Sequence, residues 1–113
     1  MPALRMYGLN KCSTCKAARD ALAQAGWQVA FRDVKDEPLS QAERTEMLDL
    51  FGEKLINRAS LTWRGFSEAE RALPSADLIA ANPSVMKRPA IIAGDKHTLG
   101  WTANVKRAFG VPV

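Results

Sequence analysis

Between Leu4 and Asp33 the apolar pattern changes period twice, and this change restricts the fold more than any other feature of the chain. Leu4 to Gly8 reads as a short strand. Leu9 to Cys12 turns the chain into a helix in which Ala17, Ala18, Ala21, Leu22 and Ala25 recur at helical spacing, and Gly26 ends it. In Gln28 to Asp33, Val29 and Phe31 alternate with Gln28, Ala30 and Arg32, which is the period of a strand. Two strands joined through a helix form a βαβ unit, and such a crossover implies that they lie parallel.

The middle of the chain reads as helical. Ser40-x-x-Glu43 is a capping-box pattern ahead of Met47, Leu48, Leu50 and Phe51, with Gly52 as the stop. A second box, Ser67-x-x-Glu70, opens a short helix that Pro74 breaks. Ser75 to Ala81 supplies another, and Pro83 blocks its continuation. Ala90 to Ala93 and Lys96 to Leu99 flank the turn pair Gly94-Asp95 as a hairpin, and a last helix runs from Thr102 to Phe109 until Gly110 terminates it. A βαβ half, a helical insert, then a hairpin and a closing helix predict an α/β fold with a mixed four-stranded sheet. With two cysteines at a strand-to-helix turn, the expected fold is thioredoxin-like.

At 113 residues and 47% hydrophobic, the chain is long enough to fill one core without a disulfide or a structural metal, so one domain over residues 1–113 is the expectation. No apolar stretch reaches the length of a membrane span, and the opening MPALRMYGLN lacks a signal-peptide core, which predicts a cytoplasmic protein with no membrane partner. The net charge of +4 comes from Lys and Arg scattered among acids. That dispersal argues against a specific nucleic-acid partner and leaves a local use for basic groups, holding a small anion near a reactive thiol.

Cys12-Ser13-Thr14-Cys15 is the motif that carries chemistry. Cys12 falls where the first turn of a helix leaves N–H groups unpaired and presents partial positive charge, and Lys11, Lys16 and Arg19 add to it. Both effects lower a thiol pKa from its usual value of about 8.5. Cys15, about one turn deeper, is placed to attack a mixed disulfide formed on Cys12. A zinc site is disfavoured because no second C-x-x-C exists and His97 is the only histidine, so no metal is expected. In a βαβ context the pair reads as redox-active, either catalytic or as a regulatory switch.

With YGLNKCSTCKAARDAL, the central LINRASLTWR and the late MKRPAII on the page, the chain resembles the arsenate reductase-related family. That family includes glutaredoxin-dependent arsenate reductases, the Spx transcription regulators and a small YffB-like branch. The resemblance runs from Leu4 to Phe109, and the NRxxxTWR wording of the middle is most similar to the YffB-like branch. It implies that Arg88 stands beside the thiol and that Pro89 is the cis proline opposite the reactive cysteine, where the chain presents backbone groups to an extended thiol such as glutathione. Arg88 can fork onto a carboxylate or oxyanion. Arg58 aligns with a second anion-binding arginine, with Arg64 as a nearby competitor, and Lys11 joins them as a substrate-binding candidate. Where the arsenate reductases carry a third arginine, this chain reads LGWTAN, with Trp101 and Thr102 in its place. Trp101, Trp63 and Tyr7 read as packing residues.

The function so implied is a thiol-disulfide oxidoreductase in which Cys12 attacks, Cys15 resolves, and Arg58 and Arg88 hold an anionic group. It would have no tightly bound cofactor, glutathione or a glutathione-linked small molecule as co-substrate, and glutaredoxin as a candidate partner. The alternatives are an arsenate reductase and an Spx-like regulator that docks on RNA polymerase, with Gly52 near the family's polymerase contact and C-x-x-C as its switch.

Overall fold

In a computed structural model that describes residues 2–113, the chain divides into two compact units, one ending at Asp33 and resuming at Arg88, the other spanning Val34–Lys87. In the first unit, β1 (Ala3–Gly8) and β2 (Gln28–Asp33) pair in parallel, with Leu4 opposite Val29 and Gly8 opposite Asp33. The crossover helix α1 covers Ser13–Gln24. The hairpin strands β3 (Ala90–Ala93) and β4 (Lys96–Leu99) complete a mixed sheet in the order β2-β1-β3-β4, with β3 antiparallel to β1 through Tyr7 opposite Ala90. Gly94 makes the two-residue turn at a positive φ of 59°, where glycine meets no Cβ penalty.

The central strands carry the core of this unit. Leu4 and Met6 of β1 and Ile91 of β3 pack with Ala18 and Leu22 of α1 and with Val105 and Phe109. Each large side chain so buried contributes roughly 1.5–3 kcal/mol. The buried face of α1 is Cys15, Ala18 and Leu22, whereas Ala17 and Ala25 face solvent. Apolar spacing alone cannot tell these alanines apart, since a small residue suits either face. At the chain's end Trp27 donates its Nε1–H to the Phe109 carbonyl at 2.8 Å and meets the Phe109 ring edge-on.

The insert is a set of short helices joined by turns: α2 (Gln41–Phe51), α3 (Leu61–Arg64), α4 (Glu68–Arg71) and α5 (Ser75–Ala81), with 3-10 turns at Gly52–Leu55 and Pro83–Val85. Both expected capping boxes form. Ser40 Oγ accepts the Glu43 N–H at 3.1 Å while Glu43 accepts the Ser40 N–H at 2.8 Å, and Ser67 with Glu70 repeats the arrangement. Gly52 stops α2 at a positive φ of 63°. One-turn α3 is not foreseen by periodicity, because Leu61 at its start is 83% exposed and no apolar face is built; the Ser60 cap on Trp63 N–H starts it. An isolated bridge between Ile56 and Met86 and a 2.8 Å bond from Lys87 N–H to the Leu55 carbonyl tie the unit's later turns together. No helix among the described residues is long and apolar enough to cross a membrane.

Candidate functional site

Cys12 is the N-cap of α1, in extended backbone conformation, and reaches that position through a turn closed by its own N–H on the Leu9 carbonyl at 3.1 Å. The Asn10 N–H donates to Asp33 Oδ2 at 2.7 Å, which ties this turn to the end of β2. Cys12 is half-buried, Cys15 fully buried, and both are free thiols.

The two sulfurs sit in opposed environments. Partial burial works against a Cys12 thiolate, but it is outweighed by the Cys15 N–H, the Cys15 thiol, the charge of Arg88 and the Thr14 N–H, so its pKa lies below the ordinary value. The Cys12 sulfur completes no capping hydrogen bond of full geometry, yet these N–H groups lie close enough to favour its anion. Burial acts on Cys15 in the same direction, and there it prevails. Together with the neighbouring Cys12 it pushes the Cys15 thiol up to about 11, against the Leu9 N–H and the charge of Arg88, which favour the anion. A thiolate at Cys12 therefore accepts the S–H of a protonated Cys15.

Lys11, Lys16 and Arg19 were expected to supply the charge near Cys12. Lys11 and Lys16 are instead exposed, Arg19 lies over the Phe31 ring at 4.0 Å, and the charge acting on Cys12 is that of Arg88. The sheet brings Arg88 there. Because Tyr7 is opposite Ala90 and β3 runs antiparallel to β1, the residues just before Ala90 run beside the end of β1 and the cysteine turn. The Arg88-Pro89 peptide is cis, and the Pro89 carbonyl accepts the Gly100 N–H at 2.9 Å.

Arg58 belongs to the insert. Its guanidinium pairs with Glu53 at 3.2 Å and lies 5.2 Å over the Trp63 ring. Glu53 also accepts the Ser75 hydroxyl, at 2.8 Å and 2.7 Å on its two oxygens, and first this bond and then Arg58 hold its carboxyl below the usual range. The competitor Arg64 is exposed at the end of α3, and its carbonyl accepts from Arg71. Tyr7 is buried and accepts from Arg5, Trp101 packs against the sheet core, and Trp63 meets Phe66 edge-on, which suits the packing role expected of all three.

Two residues at the site are not singled out by motif or spacing. Asp33 holds the cysteine turn, and only the strand register that sets it opposite Gly8 reveals this. Gly8 backs the buried sulfur: a Cβ at this position would lie 2.5 Å from Cys15 Sγ. The available signal was a glycine at the end of a strand, a mark of close approach by another group. Among the described residues no cluster of three or more His, Cys, Asp or Glu is arranged to hold a metal ion.

This sheet order, with a C-x-x-C pair where β1 turns into α1, defines a thioredoxin-like protein. Within that class the sequence pattern of the ArsC family matches residues 7–109, and the chain belongs to the ArsC family. It is similar to the solved structure of a YffB protein, with a TM-score of 0.83 and 27% identity over 93% of this chain and 96% of that one. An arsenate reductase-related protein from Brucella melitensis matches at a TM-score of 0.75 and 30% identity, covering 96% and 94% of the two chains. The global transcriptional regulator Spx of Listeria innocua is 27% identical over 110 residues, 92% of this chain and 84% of the regulator.

Proposed function

We propose that the protein is a thiol-disulfide oxidoreductase that works on glutathione or a glutathione-linked small molecule. The observation that carries this reading is the opposed state of two adjacent sulfurs, Cys12 favoured as thiolate and Cys15 held as thiol. The Cys12 thiolate attacks one sulfur of oxidised glutathione, forms a mixed disulfide and expels one glutathione thiolate. Cys15 then gives up its proton, attacks the Cys12 sulfur and expels the second glutathione thiolate. One external disulfide is reduced to two thiols while two cysteine thiols become one disulfide. In the opposite direction two glutathione thiols, or a glutaredoxin, restore the reduced pair. Arg88 stabilises the attacking thiolate and can fork onto a carboxylate of the peptide, with Lys11 and the backbone at Pro89 as further binding candidates of the same unit.

Cys12→Ser is expected to abolish the glutathione adduct, and Cys15→Ser to let the Cys12 adduct accumulate because no internal thiol resolves it. Intact-mass measurement and peptide mapping after brief exposure to oxidised glutathione at neutral pH provide the test. An adduct mapped chiefly to Cys15, or no adduct on Cys15→Ser together with no Cys12–Cys15 disulfide in the wild-type protein, would defeat the proposal.

Similarity to Spx favours a second reading, in which the same cysteine pair switches a transcriptional regulator. Retention of RNA polymerase subunits in a pulldown that responds to oxidant would favour it over the enzyme. Arsenate reduction has less support, since Trp101 and Thr102 stand where a third arginine would hold the oxyanion.

A further inference from the structure

We infer that Gly8 is the seat of the resolving sulfur: its missing side chain lets Cys15 Sγ lie against the end of β1, within reach of Cys12. The inference rests on the roles proposed above for the two cysteines, and it adds a positioning residue to them.

The chain has seven glycines, and five of them, Gly26, Gly52, Gly94, Gly100 and Gly110, adopt the positive φ that glycine alone adopts readily. Gly8 does not. Its backbone is ordinary strand, open to any residue, and a glycine there only weakens the strand unless something needs the space. What needs it is sulfur. A Cβ at position 8 would lie 2.5 Å from Cys15 Sγ, and 3.3 Å from both Cys15 Cβ and Phe31 Cε2.

The sulfur has little freedom to move aside. Cys15 is the third residue of α1, and its sulfur lies between that first turn and the end of β1. The residue is completely buried, and the Phe31 ring, covered by the Arg19 guanidinium at 4.0 Å, closes one side of the seat. The same seat keeps water from the sulfur, which is the main reason its thiol resists ionisation until its partner has reacted. Gly8 thus sets the position of the sulfur that must travel the last distance to Cys12 when a mixed disulfide is resolved.

Dithionitrobenzoic acid, a small aromatic disulfide, separates the two steps. Attack by Cys12 forms the mixed disulfide and releases one coloured thiolate. Attack by Cys15 on that bond closes the Cys12–Cys15 disulfide and releases the second. Gly8→Ala is expected to leave the first release within about twofold and to slow the second roughly a hundredfold, the penalty for a reacting group displaced by about an ångström. A second release at the wild-type rate, or equal slowing of both, would overturn the inference.

A stability pair guards against a merely structural effect. Gly8→Ala is expected to lower the Tm by about 4–8 °C or more, as overpacking a domain of this size does, and to lose most of that effect in a Cys15→Ala background that vacates the seat. An equal loss in both backgrounds would assign Gly8 to the strand alone and overturn the inference. Failure of the proposed function looks different. Wild-type protein that reacts with the aromatic disulfide but not with oxidised glutathione loses glutathione as substrate while the Gly8 test still runs. Wild-type protein with no first release loses the cysteine roles, and the stability pair then decides whether Gly8 seats the sulfur.

Discussion

The start of α1 and the starts of three helices of the insert, α2, α3 and α4, solve the same problem in different ways. Helices α2, α3 and α4 open on Ser40, Ser60 and Ser67, whose hydroxyls accept N–H groups that would otherwise be unpaired. Helix α1 opens on Cys12, which makes no such bond of full geometry. A serine cap spends the helix terminus on folding. A cysteine there leaves the terminal N–H groups and the positive end of the dipole to favour a thiolate. Helix α1 can leave its start uncapped because a buried face holds it against paired strands, whereas α3 and α4 have no buried residue and depend on local bonds.

The largest expected effect tests the source of cohesion in the first unit. Leu22→Ala removes a fully buried side chain from the sheet core and is expected to cost about 2–5 kcal/mol in denaturant unfolding. A cost near that of a lost cap would break the contrast between the units.

An effect of intermediate size concerns pH and separates the two cysteines. The Cys15 pKa is raised on folding, so its contribution to stability is fully present below the ordinary value of 9.0 and is lost as pH rises toward about 11. Cys12, lowered on folding, contributes in the opposite sense: its stabilisation is present above its ordinary value and fades as pH falls through the folded one. Unfolding free energy measured from pH 8 to 11 is therefore expected to fall more steeply in the wild-type protein than in Cys15→Ala. Parallel curves would show that burial of Cys15 does not perturb its ionisation.

The smallest effect sharpens the comparison at the insert. Ser40→Ala removes one half of a capping box and is expected to cost roughly 1 kcal/mol in the same denaturant assay, with loss of helical signal confined to α2. No measurable change would mean that α2 is held by Met47 and its neighbours rather than by its cap.

Local chemistry was legible in the residues themselves. The bounds of β2, α5 and both hairpin strands, the two capping boxes and the stop at Gly52 each follow from alternation, a capping side chain or a glycine within a few positions of the feature it creates. The placement of Cys12 at the strand-to-helix turn followed from the same reading, as did the sheet's mixed character once one crossover and one hairpin were recognised. What only the tertiary structure decided are the meetings of residues far apart in the chain. Arg88 beside Cys12 was legible through the family resemblance alone; what brings it there is that β3 pairs with β1 in a register that sets Ala90 opposite Tyr7, and no local pattern encodes that register. Asp33 reaches the cysteine turn because β2 ends level with Gly8. At Gly8 the sequence marked only a strand end that some group could approach closely, and the helix decided that the group is a buried sulfur. Periodicity and capping depend on neighbours in sequence, while the environment of a thiol depends on every group that packing brings within a few ångströms of it.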